Sequence, residues 1–170
     1  MKNTLLALAL FITSLSVQSQ TKVGTIDAEF IMSQMPEIAA VEEGLKTYNT
    51  KLQEDLQTTI TKYEDLVASY QTNSTTFTEE EKKSKESEII SIENDIKNFR
   101  QKASVLMQVR RNELTQPLYV KIDEAMKMII ATEKYTQIFN TSVNGLAYSD
   151  EKYDITDAVM KKLGIELPKE

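Results

Sequence analysis

The sequence has no cysteine, no histidine and no tryptophan, and only 4 glycines and 3 prolines among 170 residues. Without cysteine there can be no disulfide and no thiol nucleophile. With histidine also absent, neither a Ser-His-Asp triad nor the usual nitrogen-and-sulfur zinc site can be built. Few glycines and prolines leave few points at which a helix must stop. Basic residues are also in deficit, since 20 Lys and Arg face 26 Asp and Glu and leave a formal net charge of −6. A nucleic-acid binder needs a basic surface that displaces counterions from phosphates, so that class is set aside. The consecutive acids Glu79, Glu80 and Glu81 do not make a metal site, because neighbouring positions on a helix point apart. No residue is singled out as catalytic, metal-binding or cofactor-binding, and the chain reads as no enzyme.

The first residues, MKNTLLALALFITSLSVQSQ, carry a lysine, an apolar run over 5–17 and then small residues. This is the pattern of a secretory signal, with cleavage expected after Ser19; a membrane span needs roughly 20 mostly apolar residues. No cysteine follows that could take a lipid. Removal of 1–19 takes Lys2 away and moves the formal charge from −6 to −7.

Beyond the signal, VGTI over 23–26 leans toward a strand with Gly24 inside it, and AEFIMSQ toward a short helix. Pro36 suits a helix start. From there apolar residues recur at Ile38, Val41, Leu45, Tyr48, Leu52, Leu56, Ile60, Tyr63, Val67 and Tyr70, in steps of three and four. That is one narrow coiled-coil seam with an extra four-residue step near Leu56, and it implies a single partner helix. The polar stretch around 72–78 breaks the pattern, and Thr78 with Glu81 forms a capping box that starts a second helix. Its seam runs through Ile89, Ile92, Ile96, Phe99, Ala103 and Leu106, then less evenly through Val109, Leu114, Leu118, Ile122, Ala125 and Ile129. A short connection between matched helices makes an antiparallel hairpin, the arm, over 36–116. Pro36 and Pro117 lie at similar distances from its tip and read as the arm's root or hinge, with a tolerated kink as the other reading of Pro117. The remainder, 20–35 and 117–170, is expected to form a β-rich body, with a strand in 135–140 and another at 146–148 after Asn144 and Gly145. A last helix follows, with Thr156 as its N-cap, Ile155 and Met160 as a hydrophobic staple, and Gly164 as its left-handed stop. The fold class is α+β, mostly α.

This order of elements, and LAYSDEKYDIT with the helix after it above all, resembles the Skp/OmpH family of periplasmic chaperones over the whole mature chain. The resemblance implies a jellyfish-like homotrimer, in which a small body drawn from three chains carries three hairpin arms around a cavity. It implies an ATP-independent holdase for unfolded outer-membrane β-barrel proteins, located in the periplasm. Carried onto this sequence, the oligomerisation body holds Val23, Ile26, Ile138, Phe139, Leu146, Ala147, Tyr148, Ile155, Val159 and Leu163. The best-known members are strongly basic, whereas this chain is acidic, which argues against a lipopolysaccharide site or membrane contact here. Tyr48, Tyr63, Tyr70, Met107, Met126 and Met128 are adaptable residues of the kind found on promiscuous surfaces, although tyrosines at this spacing also serve as seam residues. Two functions therefore compete: the holdase, and a structural or adaptor coiled coil of the cell envelope that binds one folded partner.

Overall fold

The computed structural model describes residues 21–142 and 145–167, so the expected signal segment and Asn144 lie outside the described residues. The elements run β1 (Val23–Ile26), α1 (Ala28–Gln34), α2 (Ile38–Asn73), α3 (Glu79–Glu133), β2 (Gln137–Asn140), a 3₁₀ turn (Glu151–Tyr153) and α4 (Thr156–Leu163). The fold is α+β and mostly α. Two compact units can be described, Gln34–Val120 and the chain on either side of it, up to Ser33 and from Lys121 onward.

The first unit is a helical hairpin. Pro36 and Glu37 form a turn, closed by the Ile38 N–H on the Met35 carbonyl at 3.0 Å, so α2 begins two residues later than Pro36 suggests. At the other end of the hairpin the capping box forms as the sequence predicts. The Thr78 N–H and hydroxyl reach Glu81 Oε2 at 2.8 and 3.0 Å, and the Glu81 N–H returns to Thr78 Oγ1 at 3.3 Å. Tyr70 donates its hydroxyl hydrogen to Glu86 and sets its ring 6.2 Å from that of Phe77. These contacts tie the two helices together beside the turn.

The helices shield one stripe between them. On α2 it holds Val41, Leu45, Tyr48, Leu52, Leu56, Ile60, Tyr63, Val67 and Tyr70; on α3 it holds Ile89, Ile92, Ile96, Phe99, Ala103, Met107, Arg110, Leu114 and Leu118. Of these, Val41, Leu45, Leu52 and Leu118 are buried and the others half-buried. Leu106, expected in the seam, lies outside it and is 37% exposed, and Val109 is exposed as well. Register explains the correction. A β-carbon on Gly44 would stand 3.1 Å from Leu114 Cδ1, and the Arg110 guanidinium lies 5.9 Å from the Tyr48 ring. Continued along the antiparallel pair, that register sets 52–56 of α2 opposite 102–106 of α3. The extra four-residue step on α2 locally unwinds its stripe, and the facing helix stays in register only by taking the same step, from Ala103 to Met107.

Pro117 does not end the second helix, which continues unbroken to Glu133. Proline removes one hydrogen bond, and the carbonyl it leaves free belongs to the exposed Glu113, where water can satisfy it. The Thr115 hydroxyl donates to the carbonyls of Arg111 and Asn112 at 2.9 and 3.3 Å in the same turn.

In the second unit β1 and β2 pair in parallel, Val23 opposite Gln137 and Ile26 opposite Asn140. On its other side β1 is held by the end of the chain. The Ile155 N–H donates to the Thr25 carbonyl at 2.8 Å, and the Asp27 N–H to Thr156 Oγ1 at 2.9 Å. Because the Thr156 hydroxyl is used in this way, it does not cap α4. The N-cap position falls to Ile155, which makes no side-chain cap bond, and Asp154 Oδ1 before it accepts the Thr156 N–H at 2.7 Å, so the helix starts one residue earlier than its Ser/Thr signal implies. Gly164 takes the left-handed stop at φ 72°, with the Ile165 N–H on the Met160 carbonyl at 3.0 Å. Ile26, Ile31, Ile122, Ala125, Ile129, Ile155, Val159 and Met160 are buried and make up this unit's core. Gly24 is required by close approach, since a β-carbon there would meet Tyr135 Cε1 at 2.8 Å and Ile138 Cδ1 at 2.9 Å. The strand expected at 146–148 does not form. A strand exists only against a partner, and the sheet among the described residues has two strands alone.

Asp27 fixes the passage from β1 into α1. Its Oδ1 accepts the Phe30 N–H at 2.8 Å and the Ser142 hydroxyl at 2.6 Å. The Ser142 bond, followed by the Phe30 N–H, holds the carboxyl below its ordinary value. A carboxyl depressed by folding stabilises the fold above its unfolded value, near about pH 4, and that stability is lost as pH falls through the folded value. Asp27→Ala should therefore lower stability by about 1 kcal/mol at neutral pH. In denaturant melts at a series of pH values the deficit should shrink as Asp27 of the parent protonates; a deficit constant down to pH 2 contradicts this role.

Candidate functional site

The second unit exposes much of what the sequence assigns to the body. Ile26, Ile155 and Val159 are buried in its core, and Ile138 and Leu163 are half-buried. Val23, Phe139, Leu146, Ala147 and Tyr148 are exposed, Phe139 at 48% and Tyr148 at 81%. The turn carrying 146–148 and the alternation of β2 bring these side chains around one open cavity of about 680 Å³, lined by Val23, Gly24, Phe139, Leu146, Tyr148 and Tyr153 among others. Large apolar groups left in water at this density mark a surface that binds something. The outer edge of β2 lacks a strand partner among the described residues, so its free N–H and C=O groups can also pair with another chain.

Lys22 borders the same cavity. Its Nζ lies 2.9 Å from Glu133 Oε2, 3.2 Å from the Glu133 carbonyl and 3.9 Å from the centre of the Tyr135 ring. The hydrogen bond to Glu133 raises the lysine's pKa, and the same bond lowers that of the carboxyl. The pair ties the chain just before β1 to the end of α3. There Lys134, at φ 59°, turns the backbone through the left-handed region. The sequence analysis missed Lys22 and Tyr153; Tyr153 lies inside the quoted DEKYDIT, and nothing local marks Lys22, whose partner is 111 residues away.

In the hairpin the structure places Leu45, Tyr48, Leu52, Leu56, Ile60, Tyr63, Val67, Ile92, Ile96, Phe99 and Ala103 on the shared stripe and leaves Leu106 off it. Pro36 and Pro117 lie just inside the ends of this unit. Arg110 enters the stripe with its guanidinium toward Tyr48 and an ion pair to Glu113 at 2.9 Å. Met107 is half-buried, while Met128, in the other unit, is 55% exposed. Among the described residues no group of acids is arranged to hold a metal ion, and no helix is long and apolar enough to cross a membrane.

A family model described as outer membrane protein (OmpH-like) matches residues 22–163. No curated protein matches the chain. Among solved structures, one from Caulobacter crescentus CB15, described as an OmpH-like outer membrane chaperone, superposes with a TM-score of 0.61 at 14% sequence identity. The match covers 85% of each chain. At that identity the likeness is one of fold; the family match spans most of the chain and carries the assignment.

Proposed function

We propose that this chain, which belongs to the OmpH-like family, is an ATP-independent holdase that assembles as a homotrimer and keeps unfolded outer-membrane β-barrel proteins soluble in the periplasm. The family is one of chaperones, not enzymes. The observation that carries the reading is the exposed face of the second unit, with Val23, Phe139, Leu146, Tyr148 and Tyr153 set beside an unpaired β-edge. Apolar surface covered there contributes roughly 25 cal/mol per Å². The strand-like sequence at 146–148, without a strand partner among the described residues, is what pairing between chains would use. Three copies joined in this way carry three hairpins around a shared space, and Pro36 and Pro117 act as hinges at their roots. The signal is removed after Ser19, and export delivers the chain to the compartment where such clients pass. The mature chain's formal charge of −7, the full chain's −6 without Lys2, argues against lipopolysaccharide or membrane as the main ligand.

Two experiments test this reading. Phe139→Asp with Tyr148→Asp changes only exposed positions, so helix content by circular dichroism should be retained while the solution mass falls to that of one chain; an unchanged mass contradicts the assembly face. Chain 20–170 should also suppress light scattering when a urea-unfolded outer-membrane barrel is diluted into it without nucleotide. If the barrel aggregates at its usual rate, the holdase reading is replaced by that of an adaptor for a folded partner.

A further inference from the structure

Val23 and Thr25 lie on one face of β1, because strand side chains alternate, and Thr25 stands opposite Phe139 in the parallel register. Thr25 lines the cavity of the second unit with them and is only 4% exposed, yet its Oγ1 has no hydrogen-bond partner. Buried hydroxyls are almost always paired, because taking one from water without a partner costs free energy. The chain's own polar groups nearby are engaged elsewhere. Asp154, bridged to Thr25, accepts the Thr156 N–H; Lys22 and Glu133 hold each other, and Asp150 holds Lys152. The missing partner therefore comes with whatever fills the cavity.

That occupant needs an apolar body, to cover Val23, Phe139 and Tyr153, and a polar atom at its far end. Tyr148 has this form and is the most exposed large apolar side chain among the described residues. In its own chain it stands at the rim of the cavity, in water. In an extended 146–148 segment Leu146 and Tyr148 point to one side and Ala147 to the other, so the two can enter together. We infer that the cavity is a socket for the 146–148 segment of a neighbouring copy, whose Tyr148 hydroxyl hydrogen-bonds to Thr25 Oγ1. The inference rests on the assembly reading and adds to it the contact that fixes register. Each chain carries one socket and one such tyrosine, so the contact runs head to tail and closes when it returns to the first copy. A purely apolar side chain seated there would leave Thr25 unpaired, and the bond therefore selects the tyrosine over its apolar neighbours.

The test follows the dissociation of chain 20–170 on dilution, by light scattering and sedimentation velocity, for the parent, Thr25→Val, Tyr148→Phe and the double variant. Helix content is checked by circular dichroism. Valine keeps the shape of threonine and phenylalanine that of tyrosine, so each single variant should fold as the parent does and dissociate at about tenfold higher concentration. The double variant should dissociate no more readily than the weaker single one, because both changes remove one shared bond. Losses that add overturn the inference, since the two hydroxyls then act apart. Either single variant assembling as tightly as the parent also overturns it, since that hydroxyl then has no partner on another copy. Variants that assemble normally but hold less of a urea-unfolded outer-membrane barrel overturn it in favour of a client in the socket. A parent that stays monomeric at every concentration overturns the assembly reading itself.

Discussion

A two-helix hairpin can shield only the stripe that each helix turns toward the other. In α2 and α3 that stripe is one residue wide per turn, and most of its members remain half-buried along the length of the pair. Its continuity depends on the two helices keeping the same period, including where it changes. The extra step on α2 and the step from Ala103 to Met107 on α3 are one feature seen from both sides. From this pairing follow the position of Arg110 over Tyr48, the close approach of Gly44 to Leu114 and the outward turn of Leu106.

Much of this was legible in the sequence because it is local. The Thr78 and Glu81 capping box, the Gly164 stop and the short α1 each depend on neighbours within a few positions, while the strand at Val23–Ile26 shows in its composition although its partner, Gln137–Asn140, lies far along the chain. Other features were decided by partners far along the chain. Thr156 looks like an N-cap, but its hydroxyl is taken by the Asp27 N–H, 129 residues away, and the N-cap position falls to Ile155. Leu106 and Met107 are equally good seam residues until the step on α2 chooses between them. Pro117 reads as an arm root or hinge or as a tolerated kink, and the helix runs on through it because the carbonyl it frees belongs to the exposed Glu113. The 146–148 segment has a strand's composition and, among the described residues, no strand to pair with. Strand propensity describes fit to neighbours, and a single sequence does not show who the neighbours are.

The second unit shows the same shortage of burial from the other direction. Its core is made of a few side chains from β1, α1, the last turns of α3 and α4, and several of its largest apolar groups remain in water. Small bodies of this kind gain the missing burial by association. The proposed function uses this shortage to assemble copies through the β-rich face.

Association is the claim on which the rest depends. Light scattering coupled to size exclusion, run on chain 20–170 over a wide range of loading concentrations, measures it directly. The account requires a species three times the mass of one chain, giving way to smaller species only on strong dilution. A chain that stays monomeric at every concentration while unfolding cooperatively would contradict it, since the exposed face would then be stable in water by itself.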